Sequence, residues 1–170
     1  GKEIAAKFKD LPFVGKIISA NKNYLSVQMH PNTEQANKMG FKSGKAEFWH
    51  VLSAEKDRYI YIGLLPGTGM HLPTNFAGEK IGIDKEIKKY CEDGTIIYYM
   101  QKYKAEPGQL FIIPAGVIHC LGKGVTVFEI AQNCDVTYRL FDFGRGRELN
   151  LDALKDFNLT LNLTTQFLLD

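Results

Sequence analysis

The sequence predicts an all-β barrel or sandwich decorated by a few short helices. Three observations lead there. Runs rich in β-branched and aromatic residues recur at 13–19, 25–30, 46–52, 58–65, 95–103, 109–113, 125–131 and 136–142. Turn chemistry separates them, at Asn21-Lys22-Asn23, Pro31-Asn32, Pro66-Gly67, Glu92-Asp93-Gly94, Pro107-Gly108 and Gly122-Lys123-Gly124. Helix signals are confined to Glu3 to Phe8, a stretch after Pro31, and Asp84 to Cys91, with Asp84 as the expected cap and Gly94 as the stop. Many closely spaced short strands favour a barrel or sandwich over alternating strand–helix units.

The length, 170 residues, suits one domain that buries roughly two-thirds of its unfolded surface, so folding needs neither disulfides nor a metal. The expected layout is a single domain over 1–170, with a helical lead-in over 1–12, the barrel over 13–142 and a tail over 143–170. That tail, where Leu recurs among Asn, Thr and Asp, is expected to pack on the barrel or on a partner.

Net charge is +2, with Lys and Arg dispersed among Asp and Glu, so nucleic acid is not an expected partner. Cys91, Cys120 and Cys134 form no CxxC pair and read as free thiols of a reducing compartment. No apolar run has the length of a membrane span, and residues 1–10 lack the apolar core of a signal peptide, so the expected location is the cytoplasm, away from membranes. The sequons at Asn158 and Asn162 are discounted on the same ground.

Strand alternation picks out the chemistry. In Leu25 to His30 it places Ser26, Gln28 and His30 on one face, against Leu25, Val27 and Met29. In Lys45 to Val51 it groups Lys45, Glu47 and Trp49, opposite Ala46, Phe48 and His50. Polar faces turned into a barrel need a reason, because a buried unpaired carboxylate or imidazole costs several kcal/mol and a metal ion is one remedy. His119, after the Pro114-Ala115-Gly116 turn, is aimed back by the bend and completes a candidate set of Gln28, His30, Glu47 and His119. Two imidazoles, a carboxylate and an amide oxygen suit one divalent ion, zinc best, with iron, nickel, manganese or cobalt as alternatives. His50 and His71 read as structural. Glu129, Asp135 and Arg139 form a further polar group in an apolar stretch, fit either for proton transfer and anion binding or for a structural salt bridge with Arg139.

Four segments, Ser26 to Pro31, Gly44 to Trp49, Ile113 to His119 and Thr137 to Asp142, resemble in order the signatures of type I phosphomannose isomerases, with a likeness running from about Leu11 to Asp142. The resemblance implies a cupin barrel, a double-stranded β-helix of jelly-roll type, with zinc on Gln28, His30, Glu47 and His119. It also implies a sugar-phosphate pocket lined by Ser26, Lys45, Glu129, Asp135 and Arg139. The implied reaction interconverts mannose 6-phosphate and fructose 6-phosphate through an enediol, with a phosphorylated hexose as substrate. Alternatives are another metal-dependent cupin chemistry, such as an oxygenase or a different sugar, and a non-catalytic sugar-binding cupin. Members of that family are longer and carry a second cupin-like half, and strand edges in need of cover predict a homodimer.

Overall fold

The computed structural model describes residues 11–164 and 166–169; the helix expected over Glu3 to Phe8 lies outside them. Ten described strands build two antiparallel five-stranded sheets. The first has the order β1 (Phe13–Ser19), β8 (Val125–Gln132), β3 (Glu47–Ala54), β6 (Leu110–Ile113) and β10 (Leu168–Leu169). The second runs β5 (Met100–Lys104), β4 (Tyr59–Leu64), β7 (His119–Leu121), β2 (Val27–Met29) and β9 (Tyr138–Phe141).

Period-two alternation decides which side chains meet between the sheets. In β8, Val125, Val127, Glu129 and Ala131 are buried while Phe128 and Ile130 face out. Trp49, Val51, Phe111, Ile113, Val125 and Val127 of the first sheet pack with Ile60, Ile62 and Leu121 of the second. Part of the second sheet is also covered outside, so its strand β7 buries both faces. Helix α2 (Ile83–Glu92) lays Ile83, Ile87 and Cys91 against Val27, Met29, Leu64 and Leu140. Their spacing of four residues makes a single apolar stripe on the helix. The three cysteines are buried free thiols.

Most expected strands form within a residue or two of their predicted bounds, two readings are corrected, and the helix expected after Pro31 is present. The first part of 95–103 is a 3-10 turn over Ile96–Tyr99, where Tyr99 stacks on Tyr90 of α2 with ring centroids 3.6 Å apart. Contact with the helix overrides the β-propensity of Ile-Ile-Tyr-Tyr. Helix α2 starts one residue before Asp84, its N-cap is Gly82 at φ +84°, and Asp84 instead adds negative charge to the first turn. The stretch after Pro31 is α1 (Thr33–Lys38), closed by a capping box between Asn32 and Gln35. No described helix is long and apolar enough to cross a membrane.

The tail packs on the barrel. It makes a 3-10 segment over Leu151–Asp156, helix α3 (Leu161–Thr164), and β10, which pairs with β6. Asn162 is fully buried: its Oδ1 accepts from the Ile118 backbone N–H at 2.6 Å and its Nδ2 donates to the Gly116 carbonyl at 3.1 Å. A side chain so placed is not open to glycosylation in this fold. Replacing it by Ala leaves two buried main-chain groups without partners, so Asn162→Ala is expected to lower stability by about 2–4 kcal/mol in urea denaturation.

Candidate functional site

The site forms because the chain changes sheets between Ile113 and His119. Pro114 donates no backbone hydrogen bond, and Gly116, at φ +81°, turns the chain left-handed while its N–H donates to the His30 carbonyl at 2.9 Å. Ile113 lies opposite Glu47 in the first sheet, whereas His119 lies opposite Gln28 in the second. The crossing therefore carries His119 over to the sheet that bears Gln28, facing Glu47. A second close approach joins the strands that carry His30 and Glu47. A Cβ on Gly44 would lie 2.6 Å from the Pro31 carbonyl oxygen, and Lys45 N–H donates to that oxygen at 3.0 Å. Glycine at 44 is thus required for β3 to start against the end of β2.

Four predicted side chains meet between the sheets. His30 Nε2 lies 3.0 Å from Glu47 Oε1, and His119 Nε2 lies 3.6 Å from Glu47 Oε2. Candidate donor atoms of His30, Glu47 and His119 all fall within 4.8 Å of one another, and all three residues are buried. Gln28 brings its amide to the group, Nε2 standing 3.4 Å from His119 Nε2 while Oε1 accepts from Ser26 Oγ at 3.2 Å. A half-turn about the last side-chain bond exchanges those two amide atoms.

Backbone carbonyls set the imidazoles. His30 Nδ1 is 3.0 Å from the Val136 carbonyl and His119 Nδ1 is 2.9 Å from the Val117 carbonyl. A carbonyl only accepts, so each Nδ1 carries a proton and donates, and in the neutral ring each Nε2 presents a lone pair. Those lone pairs face a buried carboxylate, and His30 Nε2 and Glu47 Oε1 lack a hydrogen-bond partner among the described residues. Lone pairs converging in a buried space are resolved by a cation, and the donor set, two imidazole nitrogens with a carboxylate, fits a divalent metal.

The electrostatics favour an ionised carboxylate at Glu47. Burial works to raise the Glu47 carboxyl, but hydrogen bonding from His30 and the charges of His119, His30 and Lys45 outweigh it and hold the group well below the usual carboxylate range, the imidazoles contributing only while Nε2 also carries a proton. Burial pushes His119 down to about 4 against the pull of Glu47. Lys45 Nζ stands 3.3 Å from Glu47 Oε1. The Trp49 indole N–H is shared between Glu47 Oε2 at 3.0 Å and Glu129 Oε2 at 3.2 Å, and Lys16 Nζ lies 2.9 Å from Glu129 Oε1.

The other predicted residues divide. Arg139 is directly across from Gln28 in the β2–β9 pairing; its Nη1 donates to the Glu148 carbonyl at 3.4 Å and its Nε is 4.0 Å from Asp142 Oδ1. Asp142 in turn is bound by Arg145 and Arg147. Asp135 is exposed on the connection between β8 and β9, one residue before the carbonyl that holds His30, and is not part of the buried group. The salt bridge weighed for Glu129 exists, but with Lys16 rather than Arg139, because β1 lies beside β8 and pairs Lys16 with Glu129. His50 sits in β3 and His71 pairs with Glu86, both outside the metal-ligating group. Sequence reasoning passed over Lys16, whose signal was a lysine between Val14 and Ile18 on one strand face.

The depressed His119 ties stability to pH. An unfolded histidine takes up a proton near the ordinary value of 6.5, whereas folded His119 resists until about 4. The unfolded chain thus binds more protons between those values, and stability must fall as pH drops through them. Denaturation of metal-free protein at pH 7, 5.5 and 4.5 is expected to show that decline, and His119→Gln is expected to flatten it.

No protein-family model matches this chain. It is 35% identical over 147 residues to mannose-6-phosphate isomerase ManA of Bacillus subtilis strain 168, an alignment covering 82% of this chain and 42% of that relative. Its fold matches the crystal structure of the mannose 6-phosphate isomerase from Bacillus subtilis with a TM-score of 0.71 at 23% identity, over 86% of this chain and 44% of that one. A zinc-bound mannose 6-phosphate isomerase structure matches with a TM-score of 0.60 at 16% identity, over 92% of this chain and 56% of the other. The chain is a homologue of the mannose-6-phosphate isomerases, built on their cupin barrel and spanning under half the length of the Bacillus subtilis relative.

Proposed function

We propose that this barrel houses the active site of a metal-dependent aldose–ketose isomerase that interconverts mannose 6-phosphate and fructose 6-phosphate through an enediol. The observation that carries the reading is the convergence of His30, Glu47 and His119, with Gln28 beside them and Lys45 and Glu129 at the edge of the same buried group. In this reading one zinc ion is held by Gln28, His30, Glu47 and His119. When bound it supplies polarisation of the sugar oxygens at C1 and C2.

The chain's own side chains do the rest. Glu129, buried with Lys16 Nζ 2.9 Å from its Oε1, is the candidate base for moving the proton between the two carbons. Lys45 and Ser26, both buried beside ligands, are placed to hold sugar oxygens. Arg139 offers a guanidinium whose Nε–H donates no hydrogen bond among the described residues, a donor suited to the phosphate or to charge developing on the enediolate. Asp135, exposed on its loop, is assigned a substrate contact at the rim.

The test is an isomerisation assay with mannose 6-phosphate and metal analysis on one preparation. Near one equivalent of zinc with turnover is expected; Arg139→Ala should keep the zinc and lose on the order of 100-fold or more in kcat/KM, while Glu47→Ala should lose the zinc itself. Zinc without turnover would overturn the isomerase reading.

The same reading takes the protein as a cytoplasmic homodimer. The outward face of the first sheet exposes Phe13, Ile17, Phe128 and Ile130, and β1 is an edge strand among the described residues. Contiguous exposed apolar surface and an open edge are what a second copy would cover. Light scattering at micromolar concentration is expected to give the dimer mass, and Ile17→Lys to shift it towards monomer.

A further inference from the structure

The Glu129 side chain is 2% exposed. Its two oxygens have separate neighbours. Oε2 takes the Trp49 indole N–H, which is also given to Glu47 Oε2. Oε1 accepts no hydrogen bond among the described residues and has the Lys16 ammonium 2.9 Å away. The two carboxylates therefore share a single N–H, and each has its own lysine: Lys45 for Glu47 and Lys16 for Glu129.

The two lysines differ in setting. Lys45 is buried, whereas the Lys16 side chain is 52% exposed and reaches inward from the edge strand β1. An exposed ion pair is usually worth little, but removing one partner of a buried charge leaves that charge uncompensated. The β1–β8 register puts Lys16 directly across from Glu129, and the β3–β8 register puts Trp49 across from it on the other side. Glu129 is thus gripped from both neighbouring strands, by an ammonium on one oxygen and an indole on the other.

We infer that Lys16 is a positioning residue for the isomerase proposed above: it turns the Glu129 carboxylate so that Oε2 stays on the Trp49 indole at the edge of the His30–Glu47–His119 group. Without the ammonium, the rotation of that carboxylate is set only by an N–H it shares with a second anion. The inference rests on the isomerase reading for its consequence and on Lys16, Glu129 and Trp49 alone for its geometry.

The test compares native protein with Lys16→Met, Lys16→Arg and Glu129→Gln, alone and combined, reading kcat, KM, zinc content and the emission of Trp49, the sole tryptophan. Lys16→Met is expected to lower kcat about tenfold or more, the scale of a displaced acid–base group, with KM and zinc unchanged. Lys16→Arg should restore most of it, and in a Glu129→Gln background Lys16→Met should cost less than about twofold, since the two act as one unit. A Lys16→Met enzyme as fast as native, or a loss that stays full-sized beside Glu129→Gln, would overturn the assignment. If native protein turns over no sugar phosphate, the isomerase reading falls, and emission still decides the geometry. A shift in Lys16→Met that Lys16→Arg reverses supports the grip on Glu129, and an unchanged spectrum overturns it.

Discussion

A buried carboxylate, Glu47, is the constraint around which the rest of the site is arranged. It is 2% exposed and surrounded by two imidazoles, with the Lys45 ammonium and the Trp49 indole N–H as its cationic and hydrogen-bonding neighbours. Desolvating such a charge costs several kcal/mol, so each neighbour must be held in place by something other than its own flexibility. The backbone does this for the histidines. The Val117 and Val136 carbonyls fix both Nδ1 protons, and both Nε2 atoms are left turned to Glu47.

That arrangement in turn dictates features of the fold that look incidental. The crossing at Pro114 to Gly116 exists on one side of the barrel only because Gly116 accepts a left-handed φ and because Asn162 of the tail clamps the turn from behind. Gly44 lets β3 start in contact with Pro31, which keeps the Glu47 strand against the His30 strand. The tail belongs to the site in this indirect sense. Through Asn162 it secures the loop from which His119 emerges.

The outer surfaces of the two sheets are used differently. The second sheet, which carries Gln28 and His119, is packed on its outer side by α2 and by the 3-10 segment of the tail, against Val27, Met29, Leu64, Cys120 and Leu140. The first sheet supplies Glu47, Trp49 and Glu129 and leaves Phe128 and Ile130 to the outside. Two of the four candidate ligands thus sit on the second sheet, with His30 directly after its strand β2, consistent with the need to hold a coordination geometry within fractions of an ångström.

Alternation made much of this legible beforehand. Ser26, Gln28 and His30 on one face, and Lys45, Glu47 and Trp49 on another, followed from period two alone, and all six are found turned towards the site. The bend after Pro114-Ala115-Gly116 joined His119 to them, and the resemblance to known motifs agreed. Sequence could not decide partners that depend on strand order. Glu129 and Arg139 are close along the chain, but the register of β1 on β8 pairs Glu129 with Lys16, more than a hundred residues away, and the register of β9 on β2 sends Arg139 to Gln28. Nor could it show that Ile96–Tyr99 would bend onto α2, or that an asparagine in a polar tail would be buried under the turn at Gly116. Local chemistry, the face a side chain takes and the turns a glycine permits, was determined by the sequence itself. Which buried charges meet was decided by tertiary structure, because pairing across a sheet is a matter of register between distant segments.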